Sequence, residues 1–167
     1  MSFKLGTSND RAILINEGNY YDLEQISNGS ISSDSVQALS SIDELNALSA
    51  KLQDTTPTGK LSEIELGNPV PNSRNSYAVG LNYKGHAEEG GMEVPEVPMV
   101  FTKHTSCFVG PKANVEMRSD FVDYEAELVV VIGKEGKDIK KENGWEHVAG
   151  MCTVSYTHLR AHETHID

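Results

Sequence analysis

The chain has 167 residues, with 14 Lys and Arg against 25 Asp and Glu, which gives a formal net charge of -11. Such a surface repels phosphate backbones and anionic lipid, so nucleic acid and membrane surfaces are excluded as expected partners. No segment approaches the roughly 18 apolar residues of a membrane helix, and the N-terminus lacks a signal-peptide pattern, so we expect a cytoplasmic protein. Cys107 and Cys152 lie far apart without CxxC spacing and predict neither a disulfide framework nor a zinc site.

The first segment of the chain has the pattern of a small mixed module. Short apolar runs predict strands at residues 3–5, 12–15 and 20–23. Glu17, Gly18 and Asn19 supply a turn between the last two runs. A polar, serine-rich stretch at 27–35 then separates these strands from a helix.

The helix is predicted to begin at Ser41. Ser41 and Glu44 have the spacing of a capping box. Its apolar stripe consists of Ile42, Leu45, Leu48 and Leu52. The run 67–71 that follows contains two prolines in three residues, which oppose both a helix and a central strand. We therefore place a domain boundary there.

Beyond this boundary the pattern predicts strands at residues 76–81, 99–102 and 124–132, separated by Gly and Pro. The chain is expected to be an α+β, β-rich protein. The valine run at the end of the third strand is expected to be fully buried.

Acidic residues alternate along the third strand. The period of two puts Asp123, Glu125 and Glu127 on one face, about 7 Å apart. Carboxylates held that close repel one another, and a bound cation relieves the repulsion. Oxygen ligands without accompanying His or Cys favour a hard ion, Mg²⁺ first, with Mn²⁺ or Ca²⁺ as alternatives. The alternative is the solvated face of an edge strand.

A histidine and a glutamate lie three residues apart in the segment 80–91. A turn and one helical turn are predicted there, which would make His86 and Glu89 neighbours on one face. A glutamate so placed can accept the imidazole N–H and raise its basicity, as a water-activating base requires. The alternative is a solvated helix start with incidental acidic residues. Gly90 and Gly91 suit either a mobile lid or a helix stop.

The motifs GLNYKGHAEE, PEVPMVFTK, FVGP and DYEAELVVVIGK occur in this order between about residues 77 and 153. In order and spacing they resemble the fumarylacetoacetate hydrolase family, and the preceding module is similar to the small N-terminal domain of many members. The resemblance implies a metal held by Glu125 and Glu127 and a catalytic dyad of His86 and Glu89. Lys103 also fits the family pattern, but it is not assigned a catalytic role.

The chemistry implied by the resemblance is metal-stabilised enolate formation on small 2-oxo or β-diketo acids. Hydrolysis of a carbon–carbon bond, decarboxylation and isomerisation all use such an enolate, and the metal site does not choose among them. A homodimer is expected for the full-length parent. The alternative from another class is a non-enzymatic acidic module that binds a divalent cation.

The last segment, 154–167, departs from the family pattern. It resembles one reading frame of a transposon adapter used in sequencing libraries, so we expect an artefactual tail. The family's third metal ligand, an aspartate, is expected beyond residue 153, and its role is not carried over to Asp167. His158, His162 and His165 have a spacing that would suit a transition-metal site on a helix, as an alternative.

The expected organisation is therefore a small N-terminal domain at 1–66, the first part of a β-roll or barrel catalytic domain at 67–153, and the tail. On this interpretation the chain is truncated and inactive by itself, because one ligand and much of the β-structure are missing.

Overall fold

The structure, a computed structural model, describes residues 3–117, 119–120 and 122–159. Residues 158 and 159 are described by their backbone alone. It is a mixed α+β, sheet-rich fold, as predicted. The strands are β1 Leu5–Ser8, β2 Arg11–Asn16, β3 Asn19–Asp22, β4 Gly59–Lys60, β5 Ser76–Gly80, β6 Met99–Lys103, β7 Val122–Ile132 and β8 Val148–Leu159. The α-helices are α1 Leu23–Ile26, α2 Ser35–Ala38, α3 Ile42–Ser49 and α4 Lys84–Glu89.

Strands β1 to β4 form one antiparallel sheet in sequence order. Tight turns connect β1 to β2 and β2 to β3. The central residues of the first turn are Asn9 and Asp10, and those of the second are Glu17 and Gly18. All four have positive φ, as two-residue hairpin turns require. The second turn confirms the prediction, whereas the first was not predicted. The first strand also lies later than expected, at Leu5–Ser8, since Phe3 packs against the core from outside the sheet.

The core of this module lies between the sheet and helices α1 to α3. It consists mainly of Ala12, Leu14, Tyr21, Leu23, Ile31, Leu45 and Leu52. Full burial of a leucine or isoleucine stabilises the fold by about 1.5–3 kcal/mol. Helices α1 and α2, which were not predicted, begin at Asp22 and Asp34, whose carboxylates accept the backbone N–H of the third helical residue.

The predicted capping box at Ser41 does not form. Helix α3 does begin after Ser41, but the backbone there has φ -111° and ψ 42°, and the side chain makes no capping hydrogen bond. A 3₁₀ turn at Leu39–Ser41 runs directly into α3 and holds Ser41 away from the extended conformation that capping requires. Glu44 instead accepts a hydrogen bond from Ser30, at 3.2 Å. Leu52 lies beyond α3, in a second 3₁₀ turn.

The chain leaves the module along the edge of β1. The N–H of Gly67 donates to the carbonyl of Thr7 at 2.9 Å, and the Thr7 hydroxyl donates to the carbonyl of Asn68 at 2.7 Å. These bonds tie the proline-containing run to the first sheet. The division into domains at 66/67 stays a prediction.

The second half of the chain contains two further two-stranded antiparallel sheets, β5–β6 and β7–β8. Strand β8 was not predicted, and it continues through the expected 153/154 boundary to Leu159. The expectation of a fully buried valine run is wrong. Val130 is 44% exposed, and Val129 and Val131 are only half-buried. The exposed face of the strand, which also carries Leu128 and Ile132, has no layer over it among the described residues. No described helix has the length and apolar character needed to cross a membrane.

Candidate active site

The carboxylates of β7 lie on one face of the strand, as its alternation predicts. Asp123, Glu125 and Glu127 are half-buried, whereas the side chains between them are exposed on the opposite face. Strand β8 pairs along this whole length, with Tyr156 directly opposite Glu125 and Val154 opposite Glu127. Directly opposed residues share a face of the sheet, so the acidic row of β7 lies beside the row of β8 that contains these two residues.

Helix α4 carries His86 and Glu89 and is fixed at both ends. Strand β5 ends at Gly80, and Leu81, with φ 51°, turns the chain towards the helix. At the other end, Gly91 has φ 63° and its N–H donates to the carbonyl of Glu88. The N–H of Met92 donates to the carbonyl of Ala87. This is a Schellman ending, for which glycine is suited because it has no Cβ. Gly91 is therefore a helix stop.

The helix and the acidic strand form the walls of one cleft. The side chain of Ala87 is fully buried and anchors α4. The cleft has a volume of about 410 Å³, and its lining includes His86, Glu89, Asp123, Glu125 and Glu127. The predicted dyad, His86 and Glu89, and the predicted metal ligands, Glu125 and Glu127, therefore come together from two segments that are distant along the chain.

A contact across the cleft joins the imidazole Nδ1 of His86 to Oε1 of Glu125, at 3.7 Å. This distance suits an ion pair with a protonated histidine and is too long for a hydrogen bond. The side chain of His86 is half-exposed, and that of Glu125 is 26% exposed. No hydrogen bond joins His86 to Glu89 in the described structure, so the expected orientation of His86 by Glu89 is not seen.

The donor set of the cleft is rich in carboxylate oxygen. Within residues 3–117, 119–120 and 122–159, no group of three or more His, Cys, Asp or Glu side chains is arranged to hold a metal ion. Glu125 and Glu127, the two predicted metal ligands, lie on the same face of β7. Hard divalent ions take six or more oxygen ligands, several of which are commonly waters or substrate atoms.

Lys103, at the end of β6, reaches towards the β7–β8 sheet. Its ammonium donates to the hydroxyl of Tyr156 at 2.6 Å. The contact could not be predicted, because Tyr156 lies on the strand that the sequence did not indicate.

The alternative metal site formed by histidines requires a helix, but the backbone at His158 belongs to strand β8. His162, His165 and Asp167 lie outside the described residues.

Curated proteins match part of this chain. Oxaloacetate tautomerase YisK of Bacillus subtilis (strain 168) is 45% identical over 102 residues, which are 57% of this chain and 34% of the relative. The human mitochondrial oxaloacetate tautomerase FAHD2A is 42% identical over 110 residues, 65% of this chain and 34% of that protein. The matched part is about a third of the length of these curated relatives.

Solved structures extend the likeness to almost the whole chain. An HpcE-like protein of Mycobacterium smegmatis superposes with a TM-score of 0.77 and 31% identity, over 92% of this chain and 54% of that one. Maleylpyruvate hydrolase of Sphingobium sp. SYK-6, solved with manganese(II) and pyruvate, gives a TM-score of 0.74 over 94% of this chain and 59% of its own. Its 20% identity bears on the fold alone.

The family model for the C-terminal domain of fumarylacetoacetate (FAA) hydrolase matches residues 75–162, just over half of the chain. This span contains β5 to β8, α4 and every residue of the cleft described above. The fold, the relatives and the family model agree, and the chain belongs to the fumarylacetoacetate hydrolase family.

Proposed function

We propose that this chain supplies the metal-binding and proton-transfer side of an active site that forms enolates from small 2-oxo or β-diketo acids. The observation that carries the proposal is the meeting of His86 and Glu125 in one acidic cleft, 3.7 Å apart. The names of the curated relatives, oxaloacetate tautomerases, support a small oxo acid as substrate. Hydrolysis, decarboxylation and isomerisation remain the candidate reactions.

Glu125 and Glu127 are the residues that would hold the metal. Their half-buried carboxylates share one face of β7, and an all-oxygen donor set fits Mg²⁺ or Mn²⁺, with Ca²⁺ as a further candidate. When bound, a divalent ion supplies the positive charge that stabilises an enolate. Two carboxylates alone bind such an ion weakly, so further ligands have to come from substrate, water or other residues.

His86 is the proposed base. Its imidazole is half-exposed and His86 lines the cleft, where the ring can take a proton from a water molecule or from the carbon next to a carbonyl. Glu89 follows it by three residues on α4, so the two side chains lie on neighbouring parts of the helix surface. We propose that Glu89 accepts the imidazole N–H once substrate is bound, since catalytic hydrogen bonds often tighten at that stage.

The metal assignment is tested by titrating the 167-residue chain with Mn²⁺ and following water proton relaxation. The double variant Glu125→Gln/Glu127→Gln should bind Mn²⁺ at least about tenfold more weakly. Loss of a residue that only hydrogen-bonds to a metal ligand already weakens binding by about that factor. Glu142→Gln is the control, because Glu142 is an exposed residue of the 3₁₀ segment Lys141–His147. An equal loss in both variants would mean that Mn²⁺ binds the acidic surface at large.

The catalytic assignment is tested by turnover of oxaloacetate and of an acylpyruvate, in a polypeptide that carries the complete family domain. His86→Gln and Glu89→Gln should each lower kcat by about a hundredfold or more while leaving the Mn²⁺ affinity unchanged. Glu88→Gln is the control, because Glu88 lies on the same helix and pairs with Lys84 at 3.5 Å. Metal binding without any turnover would instead indicate a cation-binding module.

A further inference from the structure

A second cleft lies at the opposite end of β5 from α4. Its volume is about 230 Å³, and its lining includes Arg74, Lys103 and His104 together with Ser76, Thr102 and Thr105. No Asp or Glu lines it. This is notable in a chain whose acidic residues outnumber Lys and Arg by 25 to 14. We call it the basic cleft.

The pairing of β5 with β6 places the groups of the basic cleft. Ser76, the first residue of β5, lies directly opposite Lys103, the last residue of β6. Arg74 precedes β5 and His104 follows β6, so both flank the same end of the strand pair. Three nitrogen-bearing side chains from two strand ends are thereby brought to one opening.

Lys103 is held in position by a neutral partner. Its ammonium donates to the hydroxyl of Tyr156 at 2.6 Å, which leaves further N–H donors on the same nitrogen. Within the described residues, Arg74, Lys103 and His104 form no ion pair with a carboxylate. Neighbouring cations repel one another, and a bound anion would convert this repulsion into attraction.

We propose that the basic cleft binds a small dianion, either phosphate or a short dicarboxylate. A planar guanidinium and an ammonium suit the oxygens of both, and nearby hydroxyls donate to the remaining lone pairs. The basic cleft shares no lining residue with the acidic cleft, and Ser76 and Gly80, at the two ends of β5, lie roughly 13 Å apart. It does not depend on the proposed enolate chemistry.

The test uses isothermal titration of the full 167-residue chain with sodium phosphate and, separately, sodium malonate, against sodium chloride at equal ionic strength. At least one dianion should bind above the chloride background, and the one that binds identifies the ligand class. Arg74→Gln and Lys103→Met should each weaken that binding about tenfold or more, since a hydrogen bond to a charged group is lost.

Lys137→Gln is the matched control, because Lys137 is exposed on a turn outside the basic cleft and its replacement removes the same charge. The affinity of the Lys137→Gln variant for the dianion should stay within about twofold of that of the parent chain, as expected for a screened surface charge. Arg74 is exposed, so Arg74→Gln should keep the fold, which circular dichroism verifies. The proposal is overturned if neither dianion binds, or if Lys137→Gln and Arg74→Gln lose affinity equally.

Discussion

Asp22 joins a helix cap to an ion pair. One carboxylate oxygen accepts the N–H of Gln25 at 3.0 Å, which caps α1, and the other accepts from Nε of Arg11 at 2.7 Å. The hydrogen bond from Arg11 is the main reason that the pKa of Asp22 lies below its ordinary value of 3.8. The Arg11 guanidinium, whose pKa is raised by the same contact, also bonds to Glu24.

Replacing Asp22 by alanine should lower the free energy of unfolding by about 1–2 kcal/mol, the usual effect of losing an acidic cap. Urea denaturation at pH 7 measures this. Asp54→Ala is the control, because Asp54 is exposed and has no side-chain hydrogen bond in the described structure. A similar loss at both positions would contradict a specific role for Asp22.

The contribution of Asp22 should also depend on pH in a defined direction. Since its folded pKa is lowered, the carboxylate stabilises the fold fully above its unfolded pKa of about 3.8, and this stabilisation is lost as pH falls through the folded pKa. The stability difference between the parent chain and Asp22→Asn should therefore shrink between pH 5 and pH 2. A difference that stays constant over that range would refute the assignment.

Among the secondary-structure elements, those with a strong local signal were predicted. The alternation of β7 placed Glu125 and Glu127 on one face, and Gly18 marked a turn that requires positive φ. Spacing alone was insufficient at Ser41 and Glu44, where the preceding 3₁₀ turn sets the backbone. Strand β8 was not predicted because its first half, VAGMC, does not alternate apolar with polar residues, and its second half was assigned to the tail that begins at residue 154.

The limits at the candidate site have a similar origin. Sequence motifs indicated His86, Glu89, Glu125 and Glu127, and the structure brings all four to one cleft. The contact of His86 with Glu125 instead of Glu89 depends on how α4 packs against β7, and no local pattern encodes that distance. The basic cleft was missed because its residues are isolated along the chain.

Gly133, directly after β7, is one position at which the second half of the chain contacts the first module. A Cβ at this position would lie 2.6 Å from Cβ of Ala149 and 3.1 Å from Cδ1 of Ile42 in α3. Since Ala149 has no flexible side chain to move, one backbone segment would have to shift. Close approach of β7, β8 and α3 therefore requires glycine.

Gly133→Ala should destabilise the chain by about 1–3 kcal/mol, the usual effect of overpacking. Thermal unfolding followed by circular dichroism measures the effect. Gly144→Ala is the control, because no atom lies within 4 Å of the added methyl group. It should be neutral or slightly stabilising. Equal melting temperatures for the parent chain and Gly133→Ala would show that α3 and the end of β7 are not packed together in solution.

At the scale of the whole molecule, burial is unevenly distributed. Among the residues whose side chains are described, every buried apolar residue apart from Ala87 belongs to the first 52 residues, and the large exposed apolar side chains all lie at or beyond Leu66. On β7 they form a row at alternate positions, which includes Tyr124, Leu128 and Ile132. An exposed strand with such a face is prone to associate with other chains.

We therefore expect the chain to self-associate, so that light scattering after size exclusion gives a mass above that of the monomer, rising with concentration. The double variant Leu128→Lys/Ile132→Lys should shift the mass towards the monomer, because two ammonium groups on this face oppose its burial. The substitutions leave the face with Glu125 and Glu127 untouched, since alternate residues point to opposite sides.

Charge alone must be separated from loss of the apolar row, because the double variant makes the net charge less negative by two units. Glu142→Lys makes the same change at an exposed polar position, and a smaller net charge by itself favours association. It should therefore leave the mass unchanged or raise it. If Glu142→Lys also restored the monomer, electrostatics would govern the association. If the double variant kept the larger mass, contacts would have to form elsewhere, with the β5–β6 sheet and its exposed Tyr77, Met99 and Val100 as the next surface to change.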